Sequence, residues 1–263
     1  MIVPVAHQLR IIRSRTTEAE AMARVVSAEA WVETARVVKT APRQTVLAGE
    51  AAGVDAILRC TRLERLKDHP ARWSGRTHAM RHWHGAALLE ARGMPSAPLH
   101  VLFRGTDAQG VAVETLISGR VDGVPLLACR DAGPALAGAV GRHLARLLQA
   151  GLFHRDHKAS NLLVRRPEHD PEIVIVDADG VRRSTRRDAC ERMLMSTLVE
   201  FLGTGTAPRR ANCLRVLRTC LTELGRGEEW KPMWRRVERM LDAHGDPTPR
   251  DDPRSYDERL RSG

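Results

Sequence analysis

Aromatic side chains are scarce: three Phe, one Tyr and five Trp in 263 residues. So few rings leave little on which to stack bases, which argues against a single-stranded nucleic-acid groove. Lysine is scarce too, with four residues (Lys39, Lys67, Lys158, Lys231) against 38 arginines. Long apolar runs are missing, and none approaches the roughly 18 residues that a membrane-spanning helix needs. Residues 1–15 break their apolar pieces with His7 and Arg10 and lack the layout of a secretory signal. The cysteines are Cys60, Cys129, Cys190, Cys213 and Cys220, an odd number with no CxxC pair. Neither a disulfide framework nor a zinc site is expected, and reduced, packed thiols in a cytoplasmic protein are. No repeat at a period of roughly 20–50 residues is visible.

The formal net charge is +10. The arginines run from Arg10 to Arg261 without gathering into one block, so nucleic acid is not the expected partner. Phosphate or an anionic membrane surface would draw on the same electrostatics. With 43% hydrophobic and 28% charged residues the chain has the composition of a folded domain.

Residues 16–30 have helix-forming composition with Thr17 as N-cap and Glu20 three positions on, so a helical extension over 1–30 is expected. Residues 31–39, 44–49 and 54–60 are β-prone runs separated by turn-like TAPR and EAAG, a three-stranded meander. Residues 76–92 carry Met80, Trp83, Ala87, Leu88 and Ala91 at helical spacing, closed by Gly93. LHVLFRG (99–105) and VAVETLISG (111–119) make a further hairpin. A long helix follows over 133–150, then two short apolar strands, NLLV (161–164) and EIVIVD (172–177). Helices alternate with turns after Asp188, with Trp230 and Trp234 as expected core anchors, and a Pro/Asp/Arg-rich tail at 245–263 is expected to be disordered. The fold class is therefore α+β and bilobal: a small antiparallel-sheet lobe with one helix over 31–118, and a larger, mostly helical lobe over 119–244.

The chemistry concentrates in GLFHRDHKASNLLV (151–164) and IVIVDADGVR (173–182). His154-Arg155-Asp156 precedes Asn161 by the spacing of the H-R-D-x-x-x-x-N catalytic loop of kinases, and Asp177 ends an Ile/Val strand. Phosphoryl transfer needs a carboxylate beside the acceptor hydroxyl, which suits Asp156. It needs hard oxygen ligands for Mg²⁺, which suits Asn161 and Asp177. Lys158 supplies positive charge near the transferring group. His154 is expected to brace the loop. The basic run Arg182, Arg183, Arg186 and Arg187 lies where an acceptor would approach.

These segments, with CTRLERLKD (60–68) and RHWHGAALLEARGMPSAPLHVLF (81–103), resemble the bacterial lipopolysaccharide kinase family, over roughly residues 31–240. The resemblance implies a protein-kinase-like fold, ATP and Mg²⁺ as cofactors, and a Kdo- or heptose-like sugar or glycolipid acceptor, with peripheral contact at the inner face of the cytoplasmic membrane. It carries the metal role to Asp177, with Asp179 as a second candidate. Where kinases hold ATP phosphates with a strand lysine, this chain has Arg59; its helix partner is either His82 or Glu90. The stretch ETLISG (114–119) is the expected hinge, its main chain at Glu114 and Leu116 meeting adenine. The loop at 39–44 has no glycine to clamp phosphates. A protein-hydroxyl kinase and a non-catalytic pseudokinase are the alternatives. Against the first, no Ala-Pro-Glu segment is present and few residues separate Gly180 from the next helix.

Overall fold

The computed structural model describes residues 7–66, 68–129 and 133–245. The chain divides into two compact units, one up to Ala86 together with Ala97–Val121, the other Ala87–Ser96 together with everything from Asp122 onward. The tail from 246 lies outside the described residues.

The first unit is built on β1 (His7–Ser14), β2 (Arg36–Ala41), β3 (Gln44–Ala51), β4 (Val54–Arg62), β5 (Leu99–Thr106) and β6 (Ala112–Gly119). They form one antiparallel sheet in the order β1-β5-β6-β4-β3-β2. β3 and β4 are joined by Ala52 and Gly53, both at positive φ (52° and 78°), the two-residue turn that matches strand twist. Along β4, Ala56, Leu58 and Cys60 enter a core with Met22, Trp31 and Phe103. Ile57 and Arg59 alternate with them and are only half-buried. Each large apolar side chain fully removed from water here contributes about 1.5–3 kcal/mol. That core takes its helical cover from α1 (Ala19–Val26) and α2 (Glu29–Thr34), through Met22, Val26 and Trp31.

Three expectations for this unit fail, each for a local reason. Residues 1–30 are not a helical extension, because His7–Ser14 is the edge strand β1. Two register shifts against β5 spoil its alternation, which hides it from a period-two reading. Arg10 and Arg13 on this edge discourage pairing with another chain. The helix that follows starts at Ala19 without a Thr17 cap. The hydroxyls of Ser14 and Thr16 instead accept from the amides of Thr16 and Glu18. Residues 31–34 are helical, not extended: the Trp31 indole N–H donates to the Glu50 carbonyl (2.5 Å) and its ring lies beside Gly49. Packing one large ring overrides the β-preference of Val32 and Thr34.

After α3 (Asp68–Trp73), α4 (His78–Glu90) runs on to Gly93, whose positive φ (61°) closes it as expected. The second unit carries β7 (Val124–Pro125), α5 (Pro134–Gln149), α6 (Ala189–Gly203), α7 (Arg210–Glu223) and α8 (Trp230–His244), with four further short strands between α5 and α6. On α8 the core anchors are Met233 and Val237, not the tryptophans. Trp230 and Trp234 are half-buried, with the guanidinium groups of Arg218 and Arg210 above their rings. α5 and α7 meet almost backbone to backbone: a Cβ on Gly141 would stand 2.6 Å from the Val216 carbonyl oxygen and 2.8 Å from the Thr219 Cβ. Gly141→Ala is therefore expected to force the helices apart at a cost of about 1–3 kcal/mol, read as a lower urea midpoint.

Candidate active site

β9 (Leu162–Arg165) and β10 (Glu172–Ile175) pair with Leu162 opposite Ile175. Both strands bury alternate or consecutive apolar residues, Leu162, Val164, Ile173, Val174 and Ile175, and so pin the hairpin. At its open end the Val176 amide donates to the Asn161 carbonyl (3.0 Å), which sets Asn161 beside the residue preceding Asp177. On the other flank β8 (Leu152–His154) pairs with β11 (Val181–Arg183), Val181 opposite His154. The Arg155 amide donates to the Gly180 carbonyl (3.0 Å). The loop after His154 and the turn at 177–180 are thus joined along a seam. His154 braces it: its Nε2 lies 2.6 Å from the Asp177 carbonyl oxygen, which only accepts, so Nε2 carries the hydrogen.

Within the loop, the Asn161 amide nitrogen donates to the Asp156 carbonyl (3.0 Å) and lies 3.5 Å from Asp156 Oδ2. Anchoring the nitrogen turns the amide oxygen the other way. Asp177 Oδ1 accepts from the Asp179 amide (3.1 Å), which fixes the carboxylate. An amide oxygen and a carboxylate at one end of a hairpin suit a hard divalent cation whose other ligands are phosphate oxygens and water. Among the described residues no group of three or more His, Cys, Asp or Glu gathers into a metal site of its own. Asp179 lies 3.8 Å from the Arg155 guanidinium. Lys158 Nζ stands 3.1 Å from Asp156 Oδ1, with both side chains about half exposed (48% and 45%). The acid and the cation thus face solvent, where reactants arrive.

Three positioning residues escape a reading of the sequence. Glu200, on α6, accepts from the Ser160 amide (2.7 Å) and hydroxyl (2.6 Å), holding the helical turn Ala159–Asn161. Thr197 donates to the His157 carbonyl (2.7 Å) and accepts from His157 Nδ1 (3.0 Å). Gly180 lies so close that a Cβ there would stand 2.9 Å from the Asp156 amide nitrogen. Only Gly180 left a local signal, a glycine straight after the Asp177–Asp179 turn.

Under the loop lie three buried histidines. His143 on α5 stacks on His157 (centroids 5.6 Å apart), and His154 meets His157 edge-on (5.7 Å). Burial pushes all three pKa values down, His143 to about 3, and His157 is further opposed by its two neighbours. The unfolded chain takes up protons below about 6.5, while the folded chain resists them. Stability is therefore complete above that pH and is lost as pH falls below it. The unfolding free energy, read from urea titrations, is expected to drop from pH 6.5 downward with a slope of about 1.4 kcal/mol per pH unit per histidine, and His143→Phe should flatten the profile.

Beside Lys158 opens a cavity of about 580 Å³, lined among others by Arg155, Arg182, Arg186 and Arg192 over Phe153. Arg182 and Arg186 of the predicted basic run reach it, and Arg183 and Arg187 are exposed elsewhere. Asp188 pairs with Arg186 (2.8 Å) and Arg192 (2.6 Å), which hold its carboxyl well below the usual range.

The remaining candidates lie in the first unit. Arg59 sits in β4, inside the sheet and not at its edge, directly opposite Leu116. Its guanidinium faces His82 Nδ1 (3.3 Å) on α4. Glu114 and Leu116 do not form a hinge. Both lie within β6, laddered to β4 on one side and β5 on the other, so their main chain is not open to adenine. The Glu114 carboxylate is buried and paired with Arg104 (2.5 Å).

No family model matches the chain, and no curated protein matches it in sequence. Solved structures do match. WaaP in complex with acyl carrier protein superimposes with a TM-score of 0.61 at 15% identity, covering 89% of this chain and 98% of that one. The amicoumacin kinase hAmiN, in complex with AMP-PNP, Ca²⁺ and Ami, gives 0.54 at 12% identity, covering 83% of this chain and 91% of that one. At these identities the likeness establishes the fold, a protein-kinase-like one with an antiparallel-sheet lobe and a mostly helical lobe.

Proposed function

We propose that the chain is an ATP-dependent phosphotransferase that moves the γ-phosphoryl group of ATP to a hydroxyl of a sugar or glycolipid, of the lipopolysaccharide-core kind. The observation that supports it most is the clamped loop holding Asp156, Lys158 and Asn161 next to the Asp177 turn. Asp156 orients the acceptor hydroxyl and takes its proton as the oxygen bonds to phosphorus and the bond to ADP breaks. Lys158 offsets charge on the transferring oxygens. Asn161 and Asp177 hold Mg²⁺, which when bound neutralises polyphosphate charge. The nucleotide and divalent ion of the amicoumacin kinase complex support this choice of cofactors. Arg59 takes the place of the usual strand lysine toward phosphate, and the adenine contact passes from Glu114 and Leu116 to the residues after Gly119. The sheet lobe is assigned to the first unit, β1 and α1 included, and the helical lobe to the second. The arginine-lined cavity beside Lys158 receives the acceptor. Among the described residues no helix is long and apolar enough to cross a membrane, and we place the protein in the cytoplasm, in peripheral contact with an anionic membrane face.

Mg·ATP is expected to raise the melting temperature, because a ligand that binds only the folded state stabilises it by about 2.7 kcal/mol at a hundred times its Kd. Asp177→Asn should remove most of that gain. Label from γ-labelled ATP should then appear in a sugar or lipid fraction; label on protein would redirect the assignment to a protein kinase. Arg59 favours a second reading, a non-catalytic pseudokinase scaffold, since an arginine stands where kinases carry the strand lysine. No thermal shift with Mg·ATP would select it.

A further inference from the structure

One stretch of the first unit turns large apolar side chains to water. Leu66 is 91% exposed and Trp73 93%, against 51% for the next, Val38. Pro70 between them is exposed as well. Pro70 and Trp73 lie on α3, which buries none of its residues, and Leu66 stands just ahead of it. The start of α3 is fixed by the Asp68 amide, which donates to the Arg65 carbonyl (2.8 Å). An apolar stripe that normally faces a core here faces out.

Basic residues frame the stripe: Arg65 and Arg76 are exposed and Arg72 is half-buried. Asp68, the acid of α3, is occupied. It pairs with the Arg43 side chain and accepts from the Arg65 amide (2.9 Å). The far end is tied as well, Arg81 donating to the Arg76 carbonyl (2.8 Å). The stripe is thus held in place with positive charge around it. Leu, Pro and Trp together present a few hundred Å², well under the roughly 800 Å² per partner of a stable protein interface. A tryptophan and a leucine ringed by arginine match instead the boundary between acyl chains and anionic headgroups.

We propose that Leu66, Pro70 and Trp73 form a membrane-docking face, seated at the headgroup boundary of an anionic bilayer with Arg65, Arg72 and Arg76 on lipid phosphates. Apolar insertion and charge attraction together supply the two signals that lasting peripheral binding needs. This face gives the membrane contact suggested above a location, and it needs no phosphotransfer.

The test is co-sedimentation of the full chain with vesicles of phosphatidylcholine alone or mixed with phosphatidylglycerol. The chain is expected to bind the mixed vesicles and hardly the neutral ones, with binding lost at high salt. Leu66→Ser with Trp73→Ser should cut the partition coefficient about tenfold, leaving the melting temperature and phosphotransfer in solution unchanged. Undiminished binding by that variant overturns the proposal, as does equal binding to neutral vesicles or no binding to mixed ones. A dimer in sedimentation velocity that the double variant dissociates would overturn it too, giving the face to a second copy.

Discussion

Asp156→Asn is expected to lower kcat for phosphoryl transfer about a thousandfold while the fold survives. The carboxylate is half exposed, and its side-chain partners are Lys158 and, at 3.5 Å, Asn161. The stronger Asn161 bond goes to the Asp156 main-chain carbonyl, which the substitution keeps. Asparagine matches the shape and cannot take the acceptor's proton. The loss should therefore fall on kcat, with the KM for ATP little changed, and the melting temperature should move by less than about a degree or two. Steady-state kinetics beside a thermal melt check both halves. Full activity in this variant would remove the base from Asp156 and with it the proposed mechanism.

Gly180→Ala is expected to cost about a hundredfold in kcat without touching a reacting group. A Cβ at this position would lie 2.9 Å from the Asp156 amide nitrogen and 3.2 Å from that of Arg155. Both contacts are main chain, so no side-chain rotation relieves them. The loop must shift, and Asp156 with it, by a fraction of the distance that orients a hydroxyl for attack. The seam bond from Arg155 to the Gly180 carbonyl should weaken at the same time, lowering stability by about 1–3 kcal/mol. Nucleotide binding, read from the thermal shift with Mg·ATP, is expected to survive better than turnover. Unchanged kcat would show that the turn can retreat instead of the loop.

The placement of the candidate loop was legible because its pattern is local: Asp156, Lys158 and Asn161 fall within six positions, and Asp177 ends an apolar strand. The hairpins and the helix at 78–90 were legible for the same reason, through period and punctuation. What was hidden is long-range. Glu200 meets Ser160 and Thr197 meets His157 across forty residues, and neither carries a motif. β1 is masked by its register shifts, and α2 by a tryptophan whose partner is Glu50. The expected hinge over 114–119 lies within a strand instead, because where a strand ends is set by its neighbours, and β4 and β5 run alongside both Glu114 and Leu116.

The seam that joins β8 to β11 has a bearing on control. With His154 bonded across to Asp177 and Arg155 to Gly180, the loop that carries Asp156 and the turn that carries Asp177 are tied together. Only a few residues then lead to α6, too few to form a separate arm that swings between an open and a closed register. Switching such an enzyme off by dismantling its centre would require breaking the paired strands themselves. Under the proposed function, control of turnover would fall instead on the arrival of nucleotide and acceptor, so that throughput would follow supply.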